Sequence, residues 1–291
     1  EPEYGFFGRE TEILKIENLI FKQHNMLLVQ AAGGVGKTAL LAHLARSWQA
    51  DRKIDKVFYF SFHEKPWKLE QVLLEIGDSL FPEKDRQDHF RQLTAKSRKA
   101  AIVETLREQR HLLILEDLEF ISNRLLTTDP CLSKNERRRF KTFLTQLSEG
   151  AARVLLSSRD AAPWLSSTTF KDQVLQLDAL DAEATRQLCE RILEKHGCTL
   201  NLKNNEPQEL IAILKKNPLA LEVVLPDLAG LTPSEITTAL GLKGDDADTP
   251  AAQTLIDSIE FIHRTLPLSA RRLLACLSPV AGVINPEFLV Q

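Results

Sequence analysis

The chain has 291 residues, of which 43% are hydrophobic and 26% are charged, and its formal net charge is −3. This length corresponds to about two domains, and the composition excludes collagen-like, disulfide-stapled and intrinsically disordered proteins. Because the chain has no global basic excess, its charge also argues against nucleic acid as the main partner.

The first half of the chain alternates short apolar runs with helical patterns. This βαβ rhythm predicts an α/β fold, with a parallel sheet that is covered by helices. The predicted strands are 26–30, 57–62, 112–116, 154–157 and 174–177. The predicted helices are 11–21, 38–49, 69–80, 98–108 and 134–147.

The second half of the chain has helical patterns only, because strand patterns end at about residue 180. Pro and Gly breakers separate its helical patterns. The predicted helices are 182–193, 208–215, 219–225 and 234–240, followed by 251–265 and 268–277. The polar, Gly- and Asp-rich stretch 241–250 is typical of a linker. An incomplete element at 283–290 ends the chain.

A phosphate-binding motif follows the first predicted strand. Residues 31–38, Ala-Ala-Gly-Gly-Val-Gly-Lys-Thr, fit the P-loop pattern G-x-x-x-x-G-K-[ST], except that Ala31 takes the first Gly position. Glycines allow backbone N–H groups to face a phosphate, and the helix that follows adds its positive dipole end. Lys37 would contact the β- and γ-phosphates, and Thr38 would bind Mg²⁺. The predicted nucleotide-binding residues here are Gly33, Gly34, Val35, Gly36, Lys37, Thr38 and Ala39.

Three acidic residues, Glu116, Asp117 and Glu119, follow the apolar strand that begins at Leu112. As the first acid, Glu116 is predicted to face the metal through a water, because Mg²⁺ keeps most of its hydration shell. Either Asp117 or Glu119 would then orient the attacking water. The sequence leaves that choice open, and the alternative is that these acids merely begin a loop.

Another buried strand pattern, beginning at Val154, ends in Ser157, Ser158 and Arg159. If this strand lies between the P-loop strand and the acidic strand, Arg159 faces the γ-phosphate and senses whether it is present. The alternative is a surface arginine at the end of a strand.

Together with residues 7–10, Phe-Gly-Arg-Glu, and 217–221, Asn-Pro-Leu-Ala-Leu, these motifs resemble the STAND class of signal-transduction ATPases, and within it the NB-ARC branch. The resemblance implies a P-loop fold with a five-stranded sheet of order 5-1-4-3-2. It also implies that Phe7 and Arg9 contact the base and that Pro218 packs against it. Asn217 and Glu116 depart from the family pattern, which has an apolar residue or Gly at the first position and Asp at the second.

The resemblance also implies a domain organisation. Residues 1–24 would form an N-terminal segment and helix with the adenine-contacting Gly-Arg-Glu, and 25–178 the P-loop domain. A small helical domain would cover 179–245, and a partial winged-helix domain 250–291. In such proteins, N-terminal effector and C-terminal sensor domains flank this module, and the ATP state self-associates. The resulting hypothesis is a switch in a signalling or immune-type protein that binds ATP or ADP with Mg²⁺ and hydrolyses ATP slowly.

Two other functions remain open. One is an ATP-controlled transcriptional regulator that binds DNA through the winged helix, although that region offers only Arg264, Arg271 and Arg272 as arginines. The other is a P-loop enzyme such as a small-molecule kinase, although no lid or acceptor site is evident.

Several features bear on where the protein resides. The longest apolar run, 273–284, is interrupted by Pro279 and is shorter than the roughly 18 residues that cross a bilayer, so no membrane partner is predicted. The cysteines form no C-x-x-C pair, which predicts reduced thiols and a cytoplasmic location. They are Cys131, Cys189, Cys198 and Cys276. Because the chain begins at Glu1 without a methionine, it is expected to be a fragment of a longer protein.

Overall fold

The computed structural model describes residues 2–122, 132–159, 162, 164–165 and 173–240. These residues fall into two compact units. Of the described residues, the first unit contains residue 2, those from 9 to 32 and those from 36 to 178, and the second contains 3–8, 33–35 and 179–240. The predicted linker, the predicted winged-helix segment and its three arginines lie outside the described residues.

A five-stranded parallel sheet forms the centre of the first unit. Its strands are β1 (Met26–Gln30), β2 (Val57–Ser61), β3 (Leu112–Glu116), β4 (Arg153–Ser158) and β5 (Val174–Gln176). They are ordered β2-β3-β4-β1-β5, which confirms the predicted order. β1, β3 and β4 are almost entirely buried. Strands covered on both faces read as continuous apolar runs, and this is why the sequence predicted them well.

Helices cover this sheet. They are α1 (Glu10–Asn18), α2 (Lys37–Ala50), α3 (Leu69–Leu80), α4 (Lys84–Gln92), α5 (Ala95–Glu108), α6 (Glu119–Ser122) and α7 (Lys134–Leu147). A π-helical segment, Leu19–Gln23, continues α1. α5 begins three residues earlier than predicted because the Thr94 side chain caps its first turn by accepting a bond from the Ser97 amide.

The sequence did not predict α4. Phe90 is its one buried side chain, so the helix lacks the periodic apolar face on which such a prediction depends. Phe90 instead packs against Gly77 of α3, where an added Cβ would come within 2.1 Å of its ring. α4 is therefore held against α3 by this contact and by the ion pair of Arg91 with Asp78.

The secondary-structure elements in the described part of the second unit are all helices. It contains α8 (Ala182–Lys195), α9 (Asn205–Ile213), α10 (Pro218–Val224), a 3₁₀ helix (Leu225–Ala229) and α11 (Pro233–Leu240). Its core includes Leu188, Ile192 and Leu221, and Tyr4 packs into it. The Tyr4 hydroxyl also lies 3.1 Å from His196 Nε2, which ties residues 3–8 to the helices of this unit. A helical region after the sheet was predicted, and it is confirmed.

None of the described helices is long and apolar enough to cross a membrane. Cys189 is a buried free thiol and Cys198 a partly buried one. Burial raises the pKa of Cys189 to about 12, so its thiol stays protonated near neutral pH. Cys131 and Cys276 lie outside the described residues.

Candidate functional site

Residues 31–38, the phosphate loop, connect β1 to α2. The left-handed positions of this loop are Gly34 (φ +76°) and Gly36 (φ +96°). Ala31 is fully buried, and its amide donates to the Ser158 carbonyl at 3.1 Å, which continues the pairing of β1 with β4. This position is an extension of the strand, so the loop does not need glycine there.

The loop leads directly into a helix N-terminus. Gly36 is the N-cap of α2, and the first turn carries no acidic residue. An added Cβ at Gly36 would meet no atom within 4 Å, so there is open space beside the backbone. The first amides of an α-helix have no partner within the helix, and these amides and the positive end of a 14-residue helix suit an anion such as phosphate.

Lys37 lies beneath the phosphate loop and is only 7% exposed. Its Nζ donates to the carbonyls of Ala31 at 2.9 Å and Ala32 at 3.2 Å. Burial lowers the pKa of Lys37, and nearby carboxylates, chiefly that of Glu119, oppose this effect. A buried ammonium held by neutral carbonyls would gain a stronger partner in a phosphate.

Glu116, the last residue of β3, is fully buried. One carboxylate oxygen accepts a hydrogen bond from the Thr38 hydroxyl, and the other accepts one from the Tyr59 hydroxyl at 2.5 Å. Burial raises the pKa of Glu116, and both hydrogen bonds oppose this effect. Burial and the adjacent Glu116 carboxylate raise the pKa of Tyr59. The structure therefore brings together Thr38 and Glu116, both of which the sequence proposed for the metal, and it adds a partner that the sequence did not indicate, Tyr59.

The other two acids have different partners. The backbone of Asp117 is in the left-handed conformation (φ +61°), and its carboxylate accepts a hydrogen bond from the Ser61 hydroxyl at 3.0 Å. Glu119, almost fully buried, accepts one from the Arg159 amide at 3.1 Å, and its other oxygen lies 3.0 Å from Arg159 Nε. β4 does lie between β1 and β3, and the Arg159 side chain, half exposed, meets Glu119 at that edge.

The oxygen donors at this edge fit magnesium. The Thr38 hydroxyl and the carboxylates of Glu116 and Asp117 are the hard ligands that Mg²⁺ prefers. Within the described ranges, no group of three or more His, Cys, Asp or Glu side chains forms a metal cage. Mg²⁺ that accompanies a nucleotide needs only one or two protein oxygens, because phosphates and waters complete its shell. This donor set therefore suits a metal that arrives with a nucleotide.

The residues predicted to contact the base are held as follows. Phe7 packs against the core of the second unit. Arg9, in the first unit, is buried and lies 3.2 Å from Glu12. Pro218 is the first residue of α10, the position at which its missing N–H and fixed φ are best tolerated.

Asn217, which the sequence presented only as a departure from a family pattern, is a buried polar residue of the second unit. Its Nδ2 donates to the Gly33 carbonyl at 2.9 Å, and its Oδ1 accepts from the Ala220 amide at 3.2 Å as the N-cap of α10. The Leu219 amide donates to the Gly34 carbonyl at 3.2 Å. The segment 33–35 is thus bound at the start of α10. The sequence did contain a signal for the capping role of Asn217, because asparagine directly before a proline is typical of a helix N-cap.

A family model for the NACHT domain matches residues 25–196, which is more than half of the chain. The chain belongs to the NACHT family. NACHT domains are STAND-class P-loop NTPases, so the class predicted from the sequence is confirmed and the NB-ARC branch is corrected to NACHT. Two motifs that contributed to the resemblance, at 7–10 and 217–221, lie outside the matched residues, whereas the phosphate loop, the acids after β3 and the end of β4 lie inside them.

Solved structures share the fold of this NACHT protein. A STAND protein with a tetratricopeptide repeat sensor from Pyrococcus horikoshii has a TM-score of 0.57 at 15% identity, over 97% of this chain and 36% of that one. A Walker-type ATPase from Pyrococcus abyssi has a TM-score of 0.54 at 13% identity, over 89% and 76%. Identities this low show the fold alone. A comparison with curated proteins gave no match.

Replacing Asn217 of this NACHT protein with alanine tests the contact with the phosphate loop. Losing the cap is expected to destabilise the protein by about 1–2 kcal/mol. Release of the Gly33 carbonyl is expected to weaken ADP binding about tenfold, which equals about 1.4 kcal/mol. Thermal unfolding and calorimetric titration measure the two effects. Asn204→Ala is the control, because Asn204 is the N-cap of α9 but its side chain makes no capping bond. Equal effects in both variants would refute a role for Asn217.

Proposed function

We propose that this chain is an ATP- and ADP-binding switch module that hydrolyses ATP slowly. The observation that carries the proposal is the set of contacts at the carboxyl ends of β1, β3 and β4. Lys37 faces the loop carbonyls, Thr38 binds Glu116, and Arg159 pairs with Glu119. Carboxyl ends of parallel strands are where open α/β sheets bind their ligands.

In this proposal the phosphate loop and Lys37 hold the phosphates, while Phe7, Arg9 and Pro218 contact adenine. The Thr38 hydroxyl has one proton and two lone pairs, so it can donate to Glu116 while a lone pair faces Mg²⁺. Glu116 would contact the metal through a water. Bound Mg²⁺ would neutralise charge on the β- and γ-phosphates.

In this proposal Arg159 would sense whether a γ-phosphate is bound. Its guanidinium contacts Glu119, so a γ-phosphate would compete with this carboxylate for the same cation. A phosphate that reached this guanidinium would accept charge-assisted hydrogen bonds from it. The exchange would couple the presence of a γ-phosphate to the position of α6, which begins at Glu119.

Calorimetric titration of ADP and ATP, with Mg²⁺ and with EDTA, tests the binding site. We expect both nucleotides to bind and Mg²⁺ to strengthen binding. Failure of both to bind would refute the proposal. The switch itself is tested by sedimentation with ADP and with a non-hydrolysable ATP analogue. Full conversion between two states requires about a 10⁴-fold difference in affinity.

The switch role also includes parts that lie outside this chain. We propose a cytoplasmic multidomain protein in which an N-terminal effector and a C-terminal sensor flank the module, and in which the ATP state self-associates. Membership of the NACHT family supports this arrangement, and so does the fold shared with a STAND protein that has a tetratricopeptide repeat sensor.

Single-turnover hydrolysis by two isosteric variants identifies the carboxylate that orients water. Glu119 has one oxygen bonded to the Arg159 amide and the other beside its guanidinium, whereas Asp117 is partly exposed and accepts from Ser61. Asp117→Asn is therefore expected to lower the rate about 100-fold, as for loss of a general base. Glu119→Gln is expected to cost less than about tenfold on the same scale. The reverse order would assign the water to Glu119.

A further inference from the structure

Tyr59, in the middle of β2, makes a contact that the proposed function leaves unused. Its side chain is 45% exposed, yet its hydroxyl reaches the fully buried carboxylate of Glu116 at 2.5 Å. A tyrosine on an edge strand needs no such partner, because water can satisfy its hydroxyl. The contact therefore affects the position of the Glu116 carboxylate more than it affects the stability of β2.

The strand register explains how Tyr59 reaches this carboxylate. In the parallel pairing of β2 with β3, Tyr59 lies opposite Ile114, and Ser61 lies opposite Glu116. The tyrosine side chain is long enough to span the two-residue offset, roughly 6.6 Å along a strand. Ser61 does not compete for this carboxylate, because its hydroxyl donates to Asp117. Two residues on one face of β2 thus each hold one of two consecutive acids.

The two hydrogen bonds to Glu116 fix it from two sides. A glutamate has several rotatable bonds, and confining its carboxylate costs side-chain entropy. Thr38 on α2 holds one oxygen and Tyr59 on β2 holds the other. Each oxygen keeps a further lone pair, so a metal-bound water can still be accepted.

We propose that Tyr59 is a positioning residue, which holds the Glu116 carboxylate in place to accept a water of the Mg²⁺ that accompanies the nucleotide. This inference rests on the proposed nucleotide site, and it adds a side chain of β2 to the residues of that site. Residues that orient a metal-side carboxylate typically change metal affinity 10- to 100-fold when they are removed.

Tyr59→Phe removes the hydroxyl and keeps the ring, so the sheet surface is preserved. ADP titrations with Mg²⁺ and with EDTA are compared in the same protein. We expect Mg²⁺-dependent affinity to fall about tenfold, while the affinity in EDTA stays unchanged. Tyr4→Phe is the matched control, because Tyr4 also loses one phenol hydrogen bond, to His196, in the second unit. An unchanged Mg²⁺ dependence in Tyr59→Phe would overturn the proposal.

A mutant cycle tests whether Tyr59 acts through Glu116. If it does, Tyr59→Phe has no further effect on Mg²⁺-dependent affinity once Glu116→Gln is present. An equal loss in both backgrounds would show that the hydroxyl acts elsewhere, and would also overturn the proposal.

A spectroscopic measurement on the unmutated sequence tests the proposal without comparing the nucleotide affinities of variants. The chain has two tyrosines, so labelling with 3-fluorotyrosine gives two ¹⁹F resonances, assigned with the two Phe variants. Adding Mg²⁺ to the ADP-bound protein is expected to shift the Tyr59 resonance and not that of Tyr4. Binding of Mg²⁺-ADP with no shift at Tyr59 would refute this inference alone. Failure of the unmodified chain to bind ADP would refute both this inference and the proposed function.

Discussion

Replacing Lys37 with alanine is expected to abolish useful nucleotide binding. The lysine is buried under the phosphate loop, and its ammonium is the cation that would face the β- and γ-phosphates. Removing one partner of a buried, hydrogen-bonded charge pair costs about 3–5 kcal/mol, or two to three and a half orders of magnitude in Kd by the scale of about 1.4 kcal/mol per tenfold.

Calorimetric titration with Mg²⁺-ADP measures this loss, and thermal unfolding shows whether the variant is folded. Lys96→Ala is the control, because Lys96 is an exposed lysine on α5 and its loss removes the same charge. A folded Lys37→Ala protein that binds ADP as tightly as the control would exclude the phosphate loop as the nucleotide site.

Replacing Gly8 with alanine is expected to be strongly destabilising. Gly8 is left-handed (φ +61°), and an added Cβ would lie 2.0 Å from the Cβ of Ala184. Ala184 cannot retreat easily, since it lies in the first turn of α8 and its amide is capped by Asp181 at 2.7 Å. Backbone strain of about 1–2 kcal/mol and overpacking of about 1–3 kcal/mol together predict a loss of roughly 2–5 kcal/mol.

Gly197→Ala separates these two contributions. Gly197 is equally left-handed (φ +68°), but an added Cβ there would meet no atom within 4 Å. Its loss of stability should therefore be the strain alone, about 1–2 kcal/mol. Urea unfolding of both variants gives the comparison. Equal losses would show that residues 3–8 do not pack against α8 as described. ADP affinity should fall in Gly8→Ala as well, because Phe7 and Arg9, proposed to contact the base, flank the clash.

The sheet could be predicted because burial on both faces leaves a signal in sequence. β1 and β3 read as unbroken apolar runs, and acids or glycines mark where they end. α4 could not be predicted, because Phe90 is its one buried side chain and a single buried residue has no period. Helix starts were displaced where a cap lay outside the apolar stripe, as Thr94 does before α5.

The candidate site was predictable to the extent that its chemistry is local. Lys37 and Thr38 belong to one motif, and Glu116 is the first acid after a strand. Tyr59 carries no such signal, since Val-Phe-Tyr-Phe-Ser reads as any apolar strand. Its contact arises from a register between strands more than 50 residues apart in the chain. Such pairings are part of the tertiary structure, so the residue pattern within one segment does not predict them.

The position of β1 in the sheet has a consequence for how the protein is made. β1 lies between β4 and β5, where Met26 pairs with Val154 and Leu28 with Val174. Both neighbours are translated about 130 to 150 residues later, which takes roughly 6 to 30 s at about 5–20 residues per second. Over that interval the apolar strand that leads into the phosphate loop emerges with neither neighbour to pair with, while β2 and β3 can already associate. Nascent chains are therefore open to aggregation at β1, and they acquire the capacity to hold a nucleotide only after most of the first unit has left the ribosome.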